Sequence, residues 1–294
     1  MSRPVQTIGL VVHPARDIDT ALDGARAWAA AHHATLGQVS IPGQDRRVAD
    51  PVAPEDCDVL LAVGGDGTVL AALDRAGPAG KPVLGIAMGS LGALTSAPAS
   101  EVRAALDRFA AGTWEARELT GLVVTRDGVR LELAINDVVV VRRGAGQVIL
   151  AIDVDGSPYA RTAGDGVIVA TALGSSAYTI AAGGPLLASD HDGMVITPLA
   201  DHAGFVPSLV LTGDSTVAIT VDGGWSGARV EIDGQPAPDD TGPGEQKPFR
   251  LDISVADCGA RLLDFDGETR IAGLRRRGII ADSPRLRARD NRRG

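Results

Sequence analysis

Five consecutive residues, Gly64-Gly65-Asp66-Gly67-Thr68, follow the apolar run Val59–Val63 and precede the amphipathic stretch 69–76. Glycines let backbone amides approach a phosphate with no Cβ in the way. A helix beginning at such a turn adds partial positive charge. An aspartate in that place repels a phosphate unless it serves a hydroxyl or a metal ion. Phosphoryl transfer reconciles the two: amides hold the donor phosphate, and Asp66 orients or deprotonates the attacking hydroxyl. The loop is neither the GxxxxGK[ST] phosphate loop nor GxGxxG. The chain has only two lysines, Lys81 and Lys247, neither in a phosphate-loop context. The plain alternative is a tight strand-to-helix turn that needs glycine.

The elements around the loop come in two styles. Residues 7–14 read as a buried strand ending at Pro14, 17–33 as a helix, and 34–42 as a second strand. Residues 57–68 form a buried strand entering the glycine turn, 69–76 a helix, and 81–90 another strand with a glycine turn. A further helix spans 100–112, with Ser100 as N-cap and Gly112 near the C-cap. This alternation predicts a parallel α/β sheet. From Trp114 onward short β-rich runs follow closely, separated by Asp-Gly and Gly-Gly turns, as in a domain of hairpins. The long exception is 171–190, rich in glycine and alanine. The expected organisation is an α/β domain over 1–113 with 262–280, an all-β domain over 114–261, and a basic, disordered tail over 281–294.

The chain has 294 residues, 45% hydrophobic, with a formal net charge of −9. Residues 270–294 carry nine arginines against Asp282 and Asp290, a net of +7, so the remaining residues sum to −9 − 7 = −16. An acidic body argues against a nucleic-acid-binding domain, which is basic on one face. The tail reads as a solvated extension. No apolar run approaches the roughly 20 residues that span a bilayer. No basic-then-apolar leader is present, and Cys57 and Cys258 have no disulfide or metal spacing. A cytoplasmic protein with reduced thiols is expected.

The glycine loop resembles the GGDGT sequence shared by NAD kinases, diacylglycerol and sphingosine kinases and, more loosely, phosphofructokinases. Further stretches narrow the resemblance to NAD kinases: Asn136-Asp137 after an apolar strand, Asp165 to Tyr178 with Ala182-Gly183-Gly184-Pro185, and Asp233-Gly234-Gln235. The similarity covers roughly residues 5–278. It implies a Rossmann-like α/β domain followed by an all-β domain, with the C-terminal segment returning to the first. It also implies transfer of a phosphoryl group from ATP or polyphosphate to the 2′-hydroxyl of NAD, giving NADP, with Mg²⁺ at the donor phosphates. Nucleotides are then the partners, with neither nucleic acid nor membrane, in a homodimer or homotetramer.

Residue by residue, the resemblance makes Asp66 the base, with Gly64, Gly65, Gly67 and Thr68 around the phosphates and dinucleotide. Asn136 and Asp137 match the pair that binds the adenosine and its ribose hydroxyls. Asp165 faces the nicotinamide side. Gly174, Ser175, Ser176, Ala177, Tyr178, Thr179, Ile180 and Ala181 line the dinucleotide, and Gln235 matches the glutamine of Asp-Gly-Gln. Several positions depart from the family pattern, among them Pro207-Ser208 in place of an Arg-Pro pair. Ala93 replaces an aromatic residue near the adenine, Met88 an asparagine, and Ala163 an arginine just before Asp165. The family's Thr-Pro-Thr-Gly-Ser-Thr here reads Thr171-Ala172-Leu173-Gly174-Ser175-Ser176. These departures keep two rivals open: a kinase of the same fold acting on another hydroxyl of a nucleotide, nucleoside or lipid, and a nucleotide-sensing protein without turnover.

Overall fold

The computed structural model describes residues 4–202, 204–237, 247–265, 270–276 and 278–286. The architecture is mixed α/β. Contacts divide the chain into two units, Met1–Glu118 with Ala260–Gly294, and Leu119–Gly259.

In the first unit β1 (Thr7–Val12), α1 (Asp19–His32), β2 (Thr35–Gln38), β3 (Val59–Gly64), α2 (Asp66–Ala79), β4 (Pro82–Ala87), β5 (Ala97–Pro98) and α3 (Val102–Ala111) follow in order. The strands run parallel in the order β2-β1-β3-β4, with β5 beside the end of β4. Parallel strands covered on both faces read as unbroken apolar runs. All six residues of β3 and of β4 are accordingly buried. One face packs Leu10, Leu61 and Leu84 against Leu22 and Trp28 of α1 and Leu106 of α3. The Trp28 indole is 1% exposed and donates Nε1–H to Asp107 Oδ1 at 2.6 Å. On the other side α2 packs on β3 and β4.

The second unit takes up β6 (Glu115–Arg126), which starts before the boundary, and β7 (Val129–Arg130). Then come β8 (Asp137–Arg142), β9 (Val148–Val154), β10 (Ser157–Thr171), the one-turn α4 (Tyr178–Ala181), β11 (Met194–Asp201) and β12 (Leu209–Leu211). It closes with β13 (Thr216–Asp222), β14 (Ala228–Ile232), β15 (Gln235–Pro236) and the start of β16 (Phe249–Asp264). The strands are antiparallel, and β10 is the hub. Its first half pairs with β9, and its second half lies between β8 and β11. Val138, Val140, Val167 and Val169 join one core, while Val139, Ile168 and Ala170 join another on the opposite face with Leu187 and Val195. Two buried faces explain why β8 is a run of four valines rather than an alternating strand.

The end of β16 belongs to the first unit, where Arg261 and Leu262 pair in parallel with Pro82 and Val83. The short α5 (Arg270–Arg276) follows, with Leu274 fully buried. Arg275 forms a 2.8 Å ion pair with Asp282. Of the tail expected at 281–294, residues 287–294 lie outside the described residues.

Three local expectations shift. The strand expected over 34–42 is shorter, Thr35–Gln38. Ser100 does not cap α3, because Ala99–Glu101 form a 3₁₀ turn and the helix starts at Val102 without a side-chain cap. The helix expected from Val69 begins at Asp66 instead. Gly65 is its N-cap in extended backbone, and its carbonyl accepts from Thr68 and Val69 at 2.9 and 3.1 Å. Gly112 does end α3 in the left-handed conformation, φ +72°.

Trp28→Ala removes the largest fully buried side chain of the first unit and the Asp107 bond. It is expected to cost about 3–5 kcal/mol of unfolding free energy, read by urea denaturation beside Trp28→Phe, which keeps most of the volume.

Candidate functional site

The strand-to-helix turn is built around two carboxylate oxygens. Asp66 opens α2, and its Oδ2 and Oδ1 accept the amides of Ala93 and Leu94 at 3.0 and 2.9 Å. A Cβ on Gly92 would overlap the Asp66 carboxylate, so the glycine makes room for it. The turn at Gly92 is closed by its amide donating to Thr95 Oγ1 at 2.7 Å. Below the turn lies Arg117, largely buried, whose guanidinium reaches the Ala93 carbonyl. Desolvation lowers the Arg117 pKa, opposed by the charges of Asp264 and Asp66.

The glycines of the loop have different reasons. A Cβ on Gly64 would overlap the side chain of Thr68, which is 6% exposed and packs back on the strand. Gly67 is exposed, and among the described residues nothing beyond its own helix backbone and chain neighbours lies within 4 Å of where its Cβ would be. That leaves the first turn of α2 open on this side.

In the second unit the Asn136-Asp137 pair is held by Asp233, which the sequence reading named within its motif but gave no role. Asp233, at φ +49° in the turn between β14 and β15, accepts three amides. Its Oδ2 takes Ile135 N–H at 2.9 Å, and its Oδ1 takes Asn136 and Asp137 N–H at 2.6 and 3.1 Å. The Asp233 amide donates back to the Asp137 carbonyl at 3.0 Å. The signal was available in Asp233-Gly234, a turn pair whose aspartate tolerates positive φ. Gln235, the residue singled out there, is exposed on β15.

Asp137 itself is 5% exposed, and among the described residues no group donates to its carboxylate. Desolvation, then the like charges of Asp233 and Glu231, push its pKa up to about 7. A buried carboxylate without donors is costly.

The glycine- and alanine-rich stretch packs against the same pair. The Asn136 carbonyl accepts the Thr171 amide at 2.9 Å, and a Cβ on Gly174 would overlap that carbonyl. Thr171 Oγ1 bonds the Ile135 carbonyl at 2.7 Å and receives the Gly174 amide at 3.1 Å. Ser175 Oγ donates to the Ala172 carbonyl and accepts the Leu187 amide, so it is structural. Ser176 Oγ donates to the Leu173 carbonyl at 3.0 Å. Ala177 joins a 3₁₀ turn to α4, which comprises Tyr178, Thr179, Ile180 and Ala181. Tyr178 is 42% exposed, whereas Thr179 is fully buried.

Asp165 sits between Gly164 and Gly166, where β10 changes partners. A Cβ on either glycine would press on the Ala200 or Val140 carbonyl. Arg142 Nε donates to Asp165 Oδ1 at 2.5 Å, and His202 Nε2 lies 3.9 Å from the same oxygen. The arginine missing at Ala163 is thus answered by one from β8.

The comparisons with known proteins fit this geometry. The ATP-NAD kinase N-terminal domain model matches residues 9–114, and the ATP-NAD kinase C-terminal domain model matches residues 135–247. The chain is 36% identical to a Symbiobacterium thermophilum NAD kinase over 219 residues, 72% of this chain and 76% of that protein. It is 32% identical to a Clostridium beijerinckii NAD kinase over 79% of this chain and 83% of the relative. The chain belongs to the NAD kinase family. The fold agrees with the solved structure of a yeast NADH kinase complexed with NADH, at TM-score 0.79 and 19% identity over 95% of this chain and 89% of that one. It also agrees with an NAD kinase from Archaeoglobus fulgidus in complex with ATP, at TM-score 0.70 and 23% identity over 92% and 97%. Within this fold, Asp66 and Asp137 have contrasting surroundings. Asp66 is gripped by amides, and Asp137 is starved of donors.

The raised pKa of Asp137 sets a pH dependence. In the unfolded chain this carboxyl ionises near its ordinary value of 3.8, in the folded protein near 7. Between those values the folded state binds more protons, so the Asp137 contribution is fully favourable below about pH 4. It is lost as pH rises through about 7. Asp137→Asn is expected to flatten this decline and to gain stability over the native chain toward pH 8, on the order of a few kcal/mol. Thermal unfolding across that range checks it.

Proposed function

We propose that this chain transfers a phosphoryl group from ATP or polyphosphate to the 2′-hydroxyl of NAD, giving NADP. The observation that carries the reading is Asp66, a carboxylate fixed by the Ala93 and Leu94 amides at the first turn of α2, beside the open face of Gly67. The Asp66 oxygens accept the Ala93 and Leu94 amides, and a carboxylate oxygen can accept more than one hydrogen bond. Asp66 accepts the 2′-hydroxyl proton as the oxygen attacks the donor's terminal phosphorus, and the bond to the leaving phosphate breaks. Charge on the transferred group is met by the N-terminal amides of α2.

Asn136 reads the adenine edge, and Asp137 accepts from ribose hydroxyls. Asp165 faces the nicotinamide side, and Tyr178 offers an exposed ring to a planar group. Among the described residues no group of three or more His, Cys, Asp or Glu forms a metal cage. Mg²⁺ keeps several waters and binds through substrate phosphates with one or two carboxylates. Asp66 would hold it, and the ion would neutralise donor charge. No helix of the described residues is long and apolar enough to cross a membrane. A cytoplasmic homodimer or homotetramer completes the proposal.

Two measurements test the reading. Asp66→Asn removes the base and one of the two amide acceptors that hold Ala93 and Leu94. It is expected to lower kcat of NADP formation about 10²–10⁴-fold, with thermal unfolding measured alongside to separate loss of the base from loosening of the loop. Native protein that makes no NADP from saturating NAD with ATP or polyphosphate and Mg²⁺ would overturn it. The hydroxyls of NAD favour ionised Asp137, so NAD KM is expected to fall as pH rises through about 7. Asp137→Asn is expected to raise KM and abolish that slope.

A further inference from the structure

The donor phosphates carry several negative charges, yet the glycine loop contains no cation and the body of the chain has almost no lysine. The parallel sheet shows where one can come from. In the strand order β2-β1-β3-β4 the chain leaves β1 toward β2 and then crosses to β3 on the other side. The crevice between β1 and β3 is therefore the topological switch point, where open α/β sheets bind ligands beyond the strand ends. Asp66 follows β3 on one side of that crevice. The segment His13–Arg16 follows β1 on the other, tied to β3 by the His13 amide donating to the Val63 carbonyl at 2.9 Å.

That segment is fixed from three directions. His13 Nδ1 accepts the amides of Ala15 and Arg16 at 3.1 and 3.0 Å, which sets the ring as the neutral Nε2–H tautomer. Burial, then the charges of Arg16 and Arg46, lower the His13 pKa and keep it neutral. Arg46 Nη1 donates to the His13 and Arg16 carbonyls at 3.0 and 2.6 Å. All this holds the Arg16 backbone. Its side chain is exposed, and among the described residues its guanidinium pairs with no carboxylate and donates to no carbonyl. Arg16 Nη1 lies 4.0 Å from the position a Cβ on Gly65 would take. The backbone is held on both sides of an exposed guanidinium for which the described residues offer no partner.

We infer that Arg16 binds the terminal phosphates of the phosphoryl donor and positions them at the Gly64–Thr68 loop. This rests on the kinase reading above and adds to it the residue that selects the donor. A guanidinium presents paired N–H donors matched to phosphate oxygens. It also fills the place that a phosphate-loop lysine takes in other kinases. Arg16 touches the donor and not NAD, so its loss separates the two substrates.

Initial-rate kinetics on Arg16→Gln and Arg16→Lys test this, with ATP and inorganic tripolyphosphate as donors. Arg16→Gln is expected to raise donor KM about tenfold to a hundredfold and leave NAD KM within about twofold. Arg16→Lys is expected to recover part of the loss, as a point charge without the fork. Unchanged donor KM in Arg16→Gln, or an equal rise in both KM values, overturns the inference. Thermal shift with tripolyphosphate decides the case in which the native chain makes no NADP. Stabilisation of the native chain that Arg16→Gln lacks then leaves the phosphate site standing while the NAD reading fails. An equal shift in the two proteins, zero included, overturns the site as well.

Discussion

A carboxylate gripping successive backbone amides is the constraint on which both halves of the functional machinery depend. Asp66 takes the amides of Ala93 and Leu94, and Asp233 takes those of Ile135, Asn136 and Asp137. Hydrogen bonds to a charged acceptor are worth roughly 1.5–3 kcal/mol each, about twice the neutral kind. They are also directional, so they fix loops that have no regular secondary structure of their own. The glycines follow from the grips. Gly92 yields space to the Asp66 carboxylate, and Gly174 yields space to the Asn136 carbonyl. Remove the carboxylate and the segment it holds has unpaired amides and no defined path.

The two clamps leave different carboxylates for chemistry. Asp66 is both clamp and candidate base, so its position is fixed by the same contacts that reduce its spare lone pairs. Asp137 is clamped only through its backbone, and its side chain is buried toward Asp233 and Glu231 without a donor. Asp66 is held through its side chain, and Asp137 through its amide, with its carboxyl partly desolvated beside two like charges. Rigid positioning and unfavourable desolvation thus reside in different residues.

Much of the frame was legible in the sequence because it is local. The unbroken apolar run of β3, the glycine turn and the amphipathic stretch after it give strand, loop and helix directly. The change at Trp114 from helical to hairpin spacing falls within a few residues of the start of β6 at Glu115. What the sequence concealed is long-range. Ala93 stands 27 residues from Asp66, and Asp233 lies 96 to 98 residues from the amides it holds. No periodicity encodes such partners. Arg117 was invisible for the same reason: an arginine near the start of a strand reads as solvated until the fold buries it beneath Ala93. Ser100 failed as a cap because Ala99–Glu101 close into a 3₁₀ turn first, which no local rule excluded.

The departures from the family pattern look different once the contacts are known. Ala93 cannot stack on a base, but its amide and carbonyl both work, one on Asp66 and one for Arg117, and neither depends on the side chain. Leu173 lost a hydroxyl, yet its carbonyl accepts Ser176 Oγ, and Thr171 Oγ1 organises the turn against Ile135. Ala163 removed a guanidinium beside Asp165, and Arg142 returns one from the neighbouring strand at 2.5 Å. At Ala163 a cross-strand neighbour returns the missing group; at Ala93 and Leu173 the backbone keeps the contacts that shape the loop. The substitutions therefore change the side chains that the loops present without dismantling the loops. The same reasoning bears on the charge of the chain. An acidic body of −16 is no obstacle to anionic ligands when amides, a helix terminus and a few placed arginines make the local field.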